Sequence, residues 1–327
     1  MAIQRLAILI AVLLLGSLAA IRPAAAEPRK VVISGGPAGG TFQVMAAAIQ
    51  DCKFPGKQST LAVQATPSAG SLENLRNIEA GKADFGVVYA GHLYMARNGL
   101  LNDDPGRYEQ VMAVASLYGA PAQLIVRQGN GIRRVEDLAG KRVGVGMPGS
   151  GSFANCEQFF RHLGVWDRIE RVQMGYMDTA TAFAEGRLDA LWLFTGFPSS
   201  AAMVAAQRGD MDLLDLNTEA KESGFYAKYP YFSQISVPSR TYRNVNHPTP
   251  TFQDSTLLVA SASLPDEVVY ELLATIFSKA GLNRLRGEKE TFREMRVANG
   301  TRGIVTPMHP GAIKFWQRMG VRRGSGL

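Results

Sequence analysis

Two short stretches carry the residue types from which a binding site for an organic anion can be built. Gly39-Gly-Thr-Phe42 and Pro148-Gly-Ser-Gly-Ser152 each set glycines and a hydroxyl directly ahead of an apolar pattern of helical spacing. The first amides of a helix have no intrahelical carbonyl to bond, so they and the positive end of the helix dipole attract negative charge. Gly39, Gly40, Thr41 and Phe42 in one copy, and Ser150, Gly151 and Ser152 in the other, are therefore candidate ligand contacts. A helix end contributes about 0.3–1 kcal/mol, or ~2 kcal/mol when partly buried, so a pair can hold a carboxylate reversibly. Thr41 and Ser152 taken singly read equally well as N-caps; their pairing favours a ligand. The turn Ser68-Ala-Gly-Ser71 adds two hydroxyls at the end of a strand. Tyr89 and Phe194 end two further strands as candidate aromatic walls, and Tyr118 is a third candidate near the crossing between halves.

Catalytic and metal-binding signatures are missing. His92, His162, His247 and His309 are far apart, and there is no H-E-x-x-H, no C-x-x-C and no P-loop. Gly149-Ser-Gly-Ser152 is out of register for a nucleophile elbow. The expectation is a binding protein rather than an enzyme, with no catalytic residue, metal or cofactor; an exported enzyme on the same scaffold and a sensory module are the alternatives. Val31 to Gly39 nearly spells a dinucleotide fingerprint, but Ser34 stands at its first glycine, and the next strand ends Gln64-Ala-Thr66 without an acid for a ribose.

The elements that must position these residues come in two copies. Lys30 to Phe42 returns as Lys141 to Phe153, which aligns Pro37 with Pro148, Gly40 with Gly151 and Phe42 with Phe153. Downstream, Ala80 to Tyr89 matches Glu185 to Phe194, with Asp84 against Asp189. Strands are expected at 30–34, 61–66, 84–89, 142–146, 170–174 and 188–194, alternating with helices, one of them capped by Asp178. Near-continuous apolar strands mark parallel strands covered on both faces. Val111–Ser116 and Gln123–Arg127 read as two extended runs joined at Leu117–Pro121, and 256–261 as a strand returning to the first half. A helix from about residue 264 to 279 follows, and a last one near 310–319 would bury Ile313, Phe315 and Trp316. The fold class is α/β, two lobes that are each a mainly parallel sheet flanked by helices: 27–120 with 257–327, and 121–256, with crossings near 117–123 and 250–258.

Arg5 followed by the apolar run Leu6–Ile21 and small residues at Ala24 and Ala26 reads as a secretory signal peptide cleaved after about Ala26, which implies a periplasmic protein. The net charge of the 327 residues is +7, and losing Arg5 and Arg22 leaves 7 − 2 = +5. With basic residues scattered apart from the tail 318–323, nucleic acid is not an expected partner. No later run has the ~18 apolar residues of a membrane span, so transport requires a separate membrane protein. A monomer is the default. Cys52 and Cys156 fall in different halves, where a bridge would restrain closing, so they read as small buried residues.

Gly39–Phe42, Ser68–Leu75, Ala80–Asp84, Ala115–Tyr118, Asp137–Val143, Pro148–Ser152, Phe194–Pro198 and His309–Ala312, in that order, resemble the TAXI-type solute receptors of TRAP transporters. The resemblance implies a type II periplasmic binding protein that closes on a small organic acid and delivers it to an ion-driven permease. It also adds Thr195, in Phe194-Thr-Gly, to the candidate contacts. Where that family commonly has Gln-Ser-Asp after the third strand, this chain has Tyr89-Ala-Gly91, so a bulkier or less polar acid is expected.

Overall fold

The computed structural model describes residues 28–37, 40–52, 61–101, 104–208 and 210–321. The leader, Gly39 and the end of the basic tail lie outside the described residues.

The first half runs β1 (Arg29–Ser34), α1 (Thr41–Gln50), β2 (Leu61–Thr66), α2 (Ser71–Glu79), β3 (Phe85–Tyr89) and α3 (Ala90–Asn98) into the long β4 (Val111–Arg127). The second repeats the pattern with β5 (Arg142–Gly144), α4 (Gly151–His162), β6 (Glu170–Val172), α5 (Tyr176–Ala184) and β7 (Ala190–Phe194). Then come α6 (Ser200–Ala205), β8 (Met211–Leu213), α7 (Asn217–Glu222), α8 (Phe225–Lys228), β9 (Ser233–Val237) and the long β10 (Thr249–Ser261). The helices α9 (Asp266–Ile276), α10 (Lys279–Glu288) and α11 (Pro310–Arg318) complete the chain.

The strands are ordered β2-β1-β3-β10-β4-β7-β5-β6, with β8 on β4 and β9 on β10. β2-β1-β3 and β6-β5-β7 are parallel sets, as the continuous apolar strands require, while β10 and β4 run antiparallel to their neighbours and make the sheet mixed. β3 and β7 are buried at every position, which is how a strand covered by helices on both faces must look. The C-terminal helices return to the first half: Arg284 pairs with Asp51 at 2.9 Å, and the Trp316 indole donates to the Val114 carbonyl at 2.9 Å.

Strand pairing fixes the register between the two copies, and it differs by one residue from the motif alignment. Ile33 lies beside Phe85 as Val143 lies beside Ala190, and the helix N-caps are Gly40 and Ser150, an offset of 150 − 40 = 110 residues rather than 111. The buried faces agree, with Thr41, Phe42, Met45 and Ala46 answering to Gly151, Ser152, Asn155 and Cys156. Glycine and proline in a turn are interchangeable enough to slip; a ladder of hydrogen bonds is not. The downstream match is in register. The Asp84 carboxylate accepts from the Val32 amide at 2.8 Å, and Asp189 accepts from the Arg142 amide at 2.9 Å.

Four further expectations are corrected. The runs 111–116 and 123–127 are one strand, because Leu117–Pro121 stays extended where β4 changes partner from β10 to β7, a place where proline's missing donor is tolerated. α5 is capped at Gly175, and Asp178 sits in its first turn, since β6 stops at Val172 and the chain turns early. Helix through 279 is two helices, broken where the Ser278 hydroxyl caps the second by accepting from the Gly281 amide. In α11, Ala312, Phe315 and Trp316 share the buried face, whereas Ile313 falls off that stripe and is 39% exposed. Cys52 and Cys156 are free and buried.

Candidate functional site

α1, α2, α4 and α5 each follow a parallel strand of the sheet, so their N-termini gather at the carboxyl ends of those strands. They meet around a cavity of about 440 Å³. Gly40, Thr41, Gly70, Ser71, Ser150, Gly151, Ser152, Gly175 and Tyr176 come from the helix ends, Phe42 and Tyr89 form an aromatic wall, and Met147, Met174, Met177, Pro37 and Pro148 add apolar surface. Two of the helices already hold an acid in the first turn, Glu73 in α2 and Asp178 in α5; α1 and α4 hold none. No Lys, Arg or His is among the described lining residues. The amide-lined ends of α1 and α4 are thus the places where a negative group would be matched.

The two halves touch across this cavity. The Tyr89 phenol donates to the Phe194 carbonyl at 2.7 Å and the Thr41 and Thr195 hydroxyls lie 3.0 Å apart, while Tyr176, in the same half as Phe194, donates to the same oxygen at 2.9 Å. Gly151 fits against the Tyr89 ring and Ser71, where an added Cβ would come within 2.9 Å of three side-chain carbons. Burial pushes the Tyr89 phenol well above its usual value and raises Tyr176 as well, so both stay neutral donors.

The sequence candidates divide. Gly40, Thr41, Phe42, Ser71, Tyr89, Ser150, Gly151, Ser152 and Thr195 all line the cavity. Three do not. The Ser68 hydroxyl is turned into its own loop, donating to Asn74 Oδ1 at 2.6 Å and accepting from the Gly70 amide. The Phe194 ring is fully buried against Tyr89, Trp192 and Phe252, and only its carbonyl serves the inter-half contact. Tyr118 packs on Phe292 within the first half, away from the cavity. The two serines of the second copy have different roles. Ser150 is the cap, accepting from the Phe153 amide and donating to Met147 O, whereas the Ser152 hydroxyl is 4% exposed, makes no hydrogen bond of full geometry among the described residues and lies beside the Tyr176 phenol.

Sequence reasoning missed Gly175-Tyr-Met-Asp178 and Met174. Their position was available: the loop after β6 stands in the second copy where Pro67–Ser71 stands in the first.

A model of the NMT1-like family matches residues 33–320. The chain belongs to the NMT1-like family. Solved structures similar to this NMT1-like chain include one from Bordetella bronchiseptica RB50, at 18% identity over 91% of this chain and 84% of the other, with a TM-score of 0.50. The periplasmic aliphatic sulphonate binding protein SsuA from Escherichia coli is similar at 16% identity over 89% and 84%, with a TM-score of 0.48. The alkanesulfonate-binding protein SsuA from Xanthomonas axonopodis pv. citri, bound to MOPS, is similar at 15% over 90% and 92%, with a TM-score of 0.47. The fold is α/β, a mixed sheet flanked by helices, and is shared with the Bordetella structure. Among the described residues no helix is long and apolar enough to cross a membrane, and no cluster of three or more His, Cys, Asp or Glu could hold a metal ion.

Proposed function

We propose that the protein is an extracytoplasmic solute receptor that binds a small organic anion, a carboxylate, between its two lobes and delivers it to a TRAP-type ion-driven permease. The observation that carries this reading is Ser152: a buried hydroxyl with no hydrogen bond of full geometry among the described residues, beside the Tyr176 phenol, at the N-terminus of a helix with no acid in its first turn, on the wall of a cavity. A buried polar group left unpaired costs about 1–3 kcal/mol, and a ligand oxygen would remove that cost. The cavity size lies in the roughly 300–1,000 Å³ range of small-molecule sites.

The ligand's acid docks on the amides of α1 and α4, and the lobes close over it through the Tyr89–Phe194 and Thr41–Thr195 contacts. β4 and β10, which run through both halves of the sheet, carry the hinge near 117–123 and 250–258. The lining shows no nucleophile paired with a base, which favours binding over turnover. The leader-like first 26 residues support a periplasmic location, and the eight ordered motifs support a TRAP permease as partner.

A thermal-shift screen of carboxylic and sulfonic acids tests the reading. A true ligand at 100 times its Kd adds about 2.7 kcal/mol of stability. Carboxylates that raise the melting temperature are the expected result; a screen in which no acid does so, or in which an acid is consumed, overturns it.

A further inference from the structure

We infer that the ligand is a single-headed acid, a monoanion with an apolar body, and that the site rejects dicarboxylates. The inference rests on the receptor reading and adds where each end of the ligand lies. Of the helix ends around the cavity, α2 and α5 hold an acid of their own and α3, which starts after Tyr89, gives its Gly91 amide to Asp254; α1 and α4 have neither, and they belong to equivalent positions of the two copies. One acid group therefore fits between Thr41 on one side and Gly151–Ser152 on the other.

The rest of the cavity offers a second acid nothing. α5 brings Asp178 to the wall, and the α2 end is occupied by Glu73, whose carboxylate accepts from the Ala69 amide at 2.7 Å. With no cationic side chain among the described lining residues, a second carboxylate would be desolvated beside Asp178 without compensation. What the outer part does offer is apolar. Met147 and Met177 stand at the cavity 48% and 40% exposed, large apolar side chains left in water, and Met174, Phe42 and Pro148 continue their surface inward. Thioethers are polarizable and conform to irregular shapes, so this rim suits an alkyl or aryl body rather than one rigid outline.

The two copies differ at the positions that matter. Phe42 and Ser152 are equivalent under the 110-residue offset, so one half presents a ring and the other a hydroxyl to the same space. That asymmetry orients the ligand, acid toward Ser152 and body along Phe42 and the methionines.

Calorimetry with phenylacetate, octanoate, glutarate and adipate tests the inference on the wild-type protein and on Asp178→Asn. The expected result is binding of at least one monoacid, with both diacids at least tenfold weaker. Asp178→Asn should narrow that gap by roughly fivefold, a change of about 1 kcal/mol for one nearby like charge. A diacid that binds as tightly as the monoacids overturns the single-headed ligand and leaves the receptor reading standing. If none of the four acids binds, the single-headed inference falls; the receptor reading falls with it only if the wider acid screen also leaves the melting temperature unmoved. A gap unchanged in Asp178→Asn removes Asp178 as the excluding group.

Discussion

The Tyr89 phenol donates to the Phe194 carbonyl at 2.7 Å, joining the end of β3 to the end of β7 across 105 residues of chain. If the halves part as proposed, this bond breaks, so its loss is expected to act on closure more than on folding. Tyr89→Phe keeps the ring packing on Phe42 at 4.8 Å between centroids and removes the donor. The expected outcome is ligand affinity weakened about fivefold, for ~1 kcal/mol of lost hydrogen bond, with a nearly unchanged melting temperature without ligand. Calorimetry and thermal unfolding check it.

Gly151→Ala tests the fit directly. The new Cβ would lie 2.7 Å from a Tyr89 ring carbon and 2.9 Å from the Ser71 Cβ, both in the other half of the molecule. Its own helix accepts alanine well. The variant should fold, hold ligand at least tenfold more weakly, and show no ligand-induced decrease of the radius of gyration by small-angle scattering. Normal compaction would contradict the contact.

Asp254 gives a pH signature. Burial pushes its carboxyl from 3.8 up to about 8, against the opposing backbone donors of Gly91, Ser255 and Ala90. Between those values the folded state holds a proton that the unfolded state has lost, so stability falls as pH rises. His92, held by burial at about 3 instead of 6.5, acts in the opposite sense below 6.5. Above pH 6.5 the His92 contribution to the slope is gone, while His247, raised despite burial by its bonds to Asp212 and Pro248, adds a fall of the same sign, so the Asp254 effect is the difference between wild type and variant over pH 6.5–8. Asp254→Asn should flatten the stability curve there and raise the melting temperature at pH 8 relative to wild type; parallel curves would contradict the assignment.

The echoed aspartates should be structural. Asp84 accepts from the Val32 amide and Asp189 from the Arg142 amide and guanidinium, each pinning the first strand of its half. Asp84→Ala leaves a part-buried amide unpaired and is expected to cost about 1–3 kcal/mol in urea unfolding, with unchanged ligand preference.

Those aspartates also show what the sequence makes legible. Asp84 and Asp189 stand immediately before equivalent, well-formed strands, and their match needs no gap. The glycine turns before α1 and α4 were read one residue out of register, because Gly, Pro and Ser serve many turn conformations and strand pairing is invisible in a single chain. Ser152 reads from the sequence equally as a cap or a ligand contact; Ser150 is the cap, and Ser152 faces the cavity beside Tyr176. Phe194 and Tyr118 carry the right residue type for a wall, yet whether a strand-end aromatic faces a cavity or the core depends on long-range packing. The Met174–Asp178 loop lacked a glycine-rich signature, and only its topological place points to the site.

The central claim is that α1 and α4 together recognise negative charge. The most direct measurement is the calorimetric Kd of the tightest acid set against that of its primary amide, which has the same shape and no charge. The account predicts that the acid binds at least roughly tenfold more tightly, consistent with more than 1.4 kcal/mol from two helix ends and charge-assisted hydrogen bonds. Equal affinities for acid and amide would contradict it.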